Sequence, residues 1–429
     1  MIAKLKSLLH NGVALCVIGM PICALLYDPN VIFPFITLKA FVFHSLSLLG
    51  LILFSLLFFL EEKLRINLLI LFNNKLFKSY LIYLLLIVIS AIFSENNFNS
   101  FWGSSERADG IYLQLFCFYL TVVSCIILNN NQWKMVFISL ISVSVILFIF
   151  QLFQFNRNYY RPGSFLNQPT FLASFYLISI GSCFLLNSLI KNNRFKLICQ
   201  IITYSLAFIF IFGIFISGTR ASLLALILSV AIIYIYNREK IEFNFTLAHF
   251  ILSVTLIFGG LLFAIYLLNF ELNKSISRIF ITEGSLDTLN SRLINILISL
   301  KAINPFDVGF KNFLIGWGWG NYYLAWDFAY MPMINRFDSA PFDKAHNNYL
   351  DILVTTGLLG FYCFFNLIKN IYESTTSIKY LNIKLSIIFI FLSKFIEFFF
   401  TFDSLYGLIS SQIIFSYLIA LELIDRRVY

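Results

Sequence analysis

Asp343 to Gly360 reads DKAHNNYLDILVTTGLLG, a polar run with one histidine that passes directly into an apolar stretch. The pattern places His346, flanked by Lys344, Asn347 and Asn348, at the mouth of a membrane-crossing helix. A neutral imidazole accepts a proton near neutral pH, which suits it to a place beside a reacting hydroxyl. An ordinary interfacial histidine next to an asparagine helix cap fits the same residues. Arg220, in SGTRASLLAL, opens another apolar stretch. Its guanidinium fork matches phosphate oxygens and stays charged, although snorkelling to lipid headgroups is the competing reading. Arg292, in LNSRLINIL, occupies an amphipathic segment where an arginine on the wet face is common. A protonatable ring with fixed cations at a water-lipid boundary points to chemistry on an anionic, lipid-borne substrate.

The remaining candidates have plainer readings. Arg161 sits in NYYRPGSFLNQPTFLASF among tyrosines, which serve as sugar platforms or as interfacial anchors. Arg107, in FWGSSERADG, reads as a local ion pair with Glu106 and Asp109. Of the other histidines, His10 reads as interfacial, His44 as buried and hydrogen-bonded inside a span, and His249 as lying near the start of one. Lys394 and Glu397, three apart within a span, are expected to neutralise each other across one helical turn. No Asp-x-Asp, Asp-Asp, HExxH or CxxC occurs, so the usual seats for a metal at phosphate are missing. No metal site and no cofactor are expected, and arginines would have to neutralise any bound phosphate. No GxxxxGK[ST] supports nucleotide hydrolysis, and GWGWGNYY is only superficially like a dinucleotide fingerprint.

The elements that must position these residues are set by composition. The 429 residues are 60% hydrophobic and 12% charged, with a mean hydropathy of +0.86, which excludes a soluble domain. The net charge of +9 then records membrane orientation, and no nucleic-acid partner is expected. The seven cysteines are scattered through apolar stretches and read as small buried residues. The first apolar stretch lacks a small-residue cleavage site and is expected to be retained.

Apolar runs long enough to cross a hydrocarbon core recur about twelve times. The expected spans are 8–27, 36–60, 79–94, 111–128, 134–153, 169–190, 197–216, 221–236, 246–269, 349–369, 383–402 and 405–424. With the amino terminus in the cytoplasm, the cytoplasmic connections are rich in lysine and arginine, and the short outer loops carry only Arg107, Arg157, Arg161 and Arg220. One connection, Phe270 to Asn347, is far longer than the rest and holds Trp317, Trp319 and Trp326. Its mixed composition argues for folding. Within it, Leu289, Leu293, Ile296, Leu297 and Leu300 have the spacing of a helix lying on the membrane or on the bundle. The expected fold is therefore all-α, a single integral membrane domain over 1–429, with a large outer loop at 270–347 between spans 9 and 10.

Taken together, SGTRASLLAL, NSRLINIL, FLIGWGWGNYY and DKAHNNYLDILVTTGLLG resemble the superfamily of bacterial O-antigen ligases and polymerases. GSFLNQPTFLASF is similar to a further family segment. The resemblance implies a C-type glycosyltransferase fold, with the long loop in the periplasm and the protein in the bacterial inner membrane. It implies glycans on undecaprenyl diphosphate as donors. By the same resemblance His346 acts on the acceptor hydroxyl, and Arg220 and Arg292 hold the diphosphate. Arg161 and Asn347 are further candidates for binding substrate. The expected activity is that of an O-antigen ligase, moving a glycan to the lipid A core without a metal and with inversion. A polymerase and a protein O-oligosaccharyltransferase need the same leaving-group chemistry. A transporter or flippase would favour paired halves and charges near the bilayer midplane, and here polar residues concentrate on one face and one loop.

Overall fold

The computed structural model describes residues 2–157, 161–190, 193–237, 285–330 and 342–427. Among them the regular structure is helical: α1 (Ile2–Gly19), α2 (Thr37–Leu60), α3 (Glu62–Phe72), α4 (Lys75–Ile92), α5 (Asn97–Trp102), α6 (Ile111–Ile127), α7 (Asn130–Asn156), α8 (Pro169–Leu189), α9 (Asn193–Ile216), α10 (Arg220–Asn237), α11 (Ser285–Ala302), α12 (Pro305–Ile315), α13 (Tyr322–Tyr330), α14 (Asn348–Ser377), α15 (Leu381–Glu397) and α16 (Leu405–Arg427). Eight helices among the described residues are long and apolar enough to cross a membrane, or nine if the bent pair α11–α12 counts as one. That supports a multi-pass membrane protein. α6 and α10 are apolar but shorter, and each expected span outside the undescribed segments overlaps a helix without always sharing its bounds. The ninth expected span, His249 and the start of the long loop lie outside the described residues.

The chain divides into two compact units. The first contains Met1–Ser139, Gly284–Lys379 and Phe398–Tyr429. In it α1 packs on α2, α4 on α14, and α6 on α16. Its longest helix, α14, starts where Asn347 caps it: the Oδ1 accepts from the amides of Tyr349 (3.0 Å) and Leu350 (3.2 Å). At Gly357 the helix breaks, with φ 66°. The break strands the carbonyls of Val354 and Thr355, and a buried carbonyl in a membrane protein needs a donor from elsewhere. The glycine-rich turn supplies it. Trp317 N donates to Val354 O and Gly318 N to Thr355 O, both at 3.0 Å, and Ser90 Oγ donates to Thr355 O at 2.6 Å.

The approach requires glycine. A Cβ at Gly357 would lie 2.4 Å from the carbonyl carbon of Leu314 and 2.5 Å from the amide nitrogen of Gly316, in a left-handed conformation that side chains resist. Gly357→Ala should therefore destabilise the fold by more than about 1 kcal/mol. The expected result is a lower thermal midpoint in detergent and less monodisperse protein; an unchanged midpoint would contradict this packing.

Residues 285–330 form three helices, α11 to α13. Ile294, Ile298 and Ala302 of α11 are buried in one cluster with Trp317, Tyr322 and Ala325. The opposite face leaves Leu293 and Leu300 more than half exposed, at 57% and 52%. After an 87° bend, α12 exposes Phe306 and Phe310 in turn. The sequence allowed this helix either the bundle or the membrane. One face takes the bundle, and the other is apolar and open.

The second unit contains Leu140–Glu283 and Tyr380–Glu397. α8 packs against α9 and α15, and α10 against α15. Lys394 Nζ donates to Ser174 Oγ at 3.1 Å, and Glu397 accepts from Ser222 Oγ. The two charges expected to neutralise each other across one helical turn engage hydroxyls of neighbouring helices, α8 and α10.

Candidate functional site

The segment Phe342–Asn347 leads into α14, and His346 lies just outside the cap. Its φ of 52° is left-handed, a conformation rare for a residue with a Cβ. Two residues on, the backbone is anchored, because Asn348 N donates to Phe398 O at 2.8 Å and to Thr401 O at 3.0 Å. The imidazole packs edge-on to Phe342, with centroids 5.4 Å apart, and 5.3 Å from the ring of Phe402. Burial holds the His346 pKa below its ordinary value; the Asp343 carboxylate pulls it up, and Arg292 and Arg107 press it down. The ring is therefore neutral at neutral pH and able to accept a proton.

Phe398–Phe402 is the platform on which this end of the first unit converges. Arg292 donates from Nη2 to Phe400 O at 3.4 Å and stands 5.6 Å over the Phe400 ring. Arg107 places its guanidinium 4.8 Å over Phe402. The expected span 383–402 runs through this platform, whereas α15 ends at Glu397 and the next residues turn. The correction has a physical reason. FFFTF is apolar enough to read as helix, yet the Phe398 and Thr401 carbonyls are used by Asn348 N, outside any helical ladder.

Arg107 does not confine itself to a local pair. Its Nε and Nη2 reach Asp343 Oδ2 and Oδ1 at 2.8 and 3.2 Å, a bidentate bridge across 236 residues. Asp109, the other expected partner, takes Lys344 Nζ at 2.6 Å, and Asp351 Oδ2 lies 3.6 Å from the same ammonium. Burial alone would push Asp343 up, but Arg107 and Lys344 hold it below the usual carboxylate range. Burial likewise opposes the charge on Lys344, and Asp109 and Asp351 outweigh it, so the lysine stays protonated. Sequence reasoning missed these partners. A second missed cation is Lys39, fully buried on α2 with its ammonium 5.2 Å over the Tyr406 ring; the signal was a lysine inside an apolar run.

Of the sequence-predicted residues, His346, Arg292 and Asn347 thus belong to the first unit, and Asn347 spends its side-chain oxygen on the helix cap. Arg161 and Arg220 belong to the second. Arg220 is exposed at the first position of α10, after a turn in which Gly218 takes φ 64° and Ser217 Oγ lies 2.7 Å from Thr219 Oγ1. Arg161 precedes a turn closed by Ser164, whose amide donates to Gln154 Oε1 at 2.7 Å. The other histidines keep structural places. His10 contacts Glu61 at 3.1 Å, and His44 lies among Phe43, Tyr112 and Phe116. Its buried Nε2 lacks the hydrogen bond expected of it. Aromatic faces surround the ring in place of polar atoms.

The arrangement can do a limited kind of chemistry. It offers a neutral imidazole at the start of a helix, a guanidinium from α11 on the same Phe398–Phe402 platform, and further fixed charges already committed to carboxylates. Among the described residues, no cluster of His, Cys, Asp or Glu could hold a metal ion. A family model described as O-antigen ligase matches residues 205–365. The matched stretch includes Arg220, Arg292, His346 and Asn347, and leaves out Arg107, Arg161 and the Phe398–Phe402 platform. No curated protein matches the chain.

Proposed function

From the O-antigen ligase domain at residues 205–365, which supports membership of the O-antigen ligase and polymerase superfamily, we propose that this protein is a glycosyltransferase of the bacterial inner membrane. It moves a glycan from undecaprenyl diphosphate to a hydroxyl of the lipid A core oligosaccharide at the periplasmic face. The observation that carries the reading is His346, a partly buried neutral imidazole set beside Arg292 within the matched stretch.

In the proposed step the acceptor oxygen attacks the anomeric carbon, and its proton passes to His346. The bond from that carbon to the diphosphate oxygen breaks, and the electron pair leaves with the diphosphate. Arg292 and Arg220 offset the growing negative charge, which preorganised guanidinium groups do without reorganising solvent. Direct displacement inverts the anomeric configuration. A product that keeps the donor configuration would remove this mechanism.

Deleting the gene in its host tests the choice of acceptor. Full-length glycan accumulating on the lipid carrier is the expected result; single repeat units on the carrier would make the protein a polymerase. A glycan moved across reconstituted bilayers with no new glycosidic bond would instead favour transport. Because guanidinium groups supply the positive charge in this reading, transfer should persist in excess chelator. Loss of activity rescued by one divalent ion would contradict it.

A further inference from the structure

Two segments of the first unit are joined by ion pairs of opposite sense. Arg107 of the segment before α6 reaches Asp343, and Lys344 reaches back to Asp109. The first segment is tied to the glycine-rich turn, where Trp319 Nε1 donates to Asp109 O at 2.7 Å. The second is tied to α14, where Ala345 N donates to Asp351 Oδ1 at 3.4 Å. Because the pairs cross, the segments cannot slide past each other without breaking one of them. His346 follows directly, in its left-handed conformation. Arg107 also covers the Phe402 ring against which the imidazole rests.

We propose that Arg107 is a positioning residue for His346: paired with Asp343, it forms the outer half of a crossed clasp that holds the histidine's turn and seats its ring against Phe402. The charged groups that act on that ring are Asp343 on its own segment, Arg292 on α11 and Arg107 on the segment before α6. Glu106 and Asp109 act in turn on Arg107, Lys344 acts on Asp343 and pairs with Asp351 of α14, Tyr406 feels Arg107, and Asp403 follows Phe402 in the chain. The kinetic consequence rests on the reading of His346 as the base. The placement of the ring does not.

The test uses full-length protein in lipid nanodiscs with Arg107→Gln, Asp343→Asn, Arg107→Lys and the charge swap Arg107→Asp with Asp343→Arg. Diethyl pyrocarbonate labelling of His346, followed across pH by peptide mass spectrometry, reads the exposure and ionisation of the ring without any glycan. Both single neutralisations should speed labelling and move the midpoint up towards the ordinary histidine value, because a released ring loses the burial that depresses it. The swap should return both towards wild type. In transfer assays the single variants should lose on the order of tenfold to a hundredfold in kcat, with donor affinity nearly unchanged. Arg107→Lys should fall between, and it keeps the test open should Arg107→Gln fail to give monodisperse protein.

Unchanged labelling in the single variants would overturn the proposal. So would midpoints moving in opposite directions, which would mean that the two charges tune the ring without seating it. A swap no better than the single variants would overturn it as well, since the pair would not be what matters. Labelling that behaves as expected while the wild type transfers no glycan would leave the clasp standing and remove the proposed reaction.

Discussion

Replacing His346 by alanine should abolish glycan transfer and leave donor binding largely intact. A positioned base contributes on the order of a hundredfold to ten-thousandfold to a proton-transfer step, and no other histidine among the described residues shares the platform. The donor should still bind because in the proposed step guanidinium groups, and not the imidazole, meet the diphosphate. The pH profile carries the sign. In the proposed step His346 works as the neutral form, and its pKa lies below the ordinary value of about 6.5. Activity should therefore be flat through neutral pH and fall only as pH drops through that lowered value. Detergent-solubilised variant and wild type, assayed with a lipid-linked donor, provide the measurement. Wild-type rates in His346→Ala, or an acidic limb above neutrality, would remove His346 as the base.

Much of this site is legible in the sequence where the signal is local. Asn347 announces a helix start because an asparagine before an apolar run offers its side-chain oxygen to two free amides, and it does so here. The α11 stripe is legible because its apolar residues recur at helical spacing. What the sequence hides are the partners brought in from far along the chain. Arg107 has Glu106 and Asp109 beside it, and nothing local says that Asp343 will take the guanidinium. LVTTGLLG reads as unbroken helix, because the donors that permit a break at Gly357 come from Trp317 and Gly318. FFFTF is invisible for a related reason. Hydropathy reports that these residues avoid water, and it is silent on which backbone carbonyls they leave open.

The arginines should show a different pattern from the histidine. Arg220→Ala and Arg292→Ala are each expected to weaken donor binding and to lower transfer by on the order of a hundredfold to a thousandfold, as loss of one charge-stabilising donor does elsewhere. Both effects appear together because a diphosphate is anionic before the reaction and more so as it leaves. Lysine should rescue poorly at either position, since a point charge cannot reproduce a planar fork on phosphate oxygens. Full activity in Arg220→Lys would favour headgroup snorkelling for that residue. The double variant separates shared from separate roles. If both guanidinium groups serve one diphosphate, the second substitution should cost less than it does alone, because groups acting as a unit are non-additive. Additive losses would mean that Arg220 and Arg292 meet different parts of the substrates, and the division of labour between them would have to be redrawn around Arg292, the one in the same unit as His346.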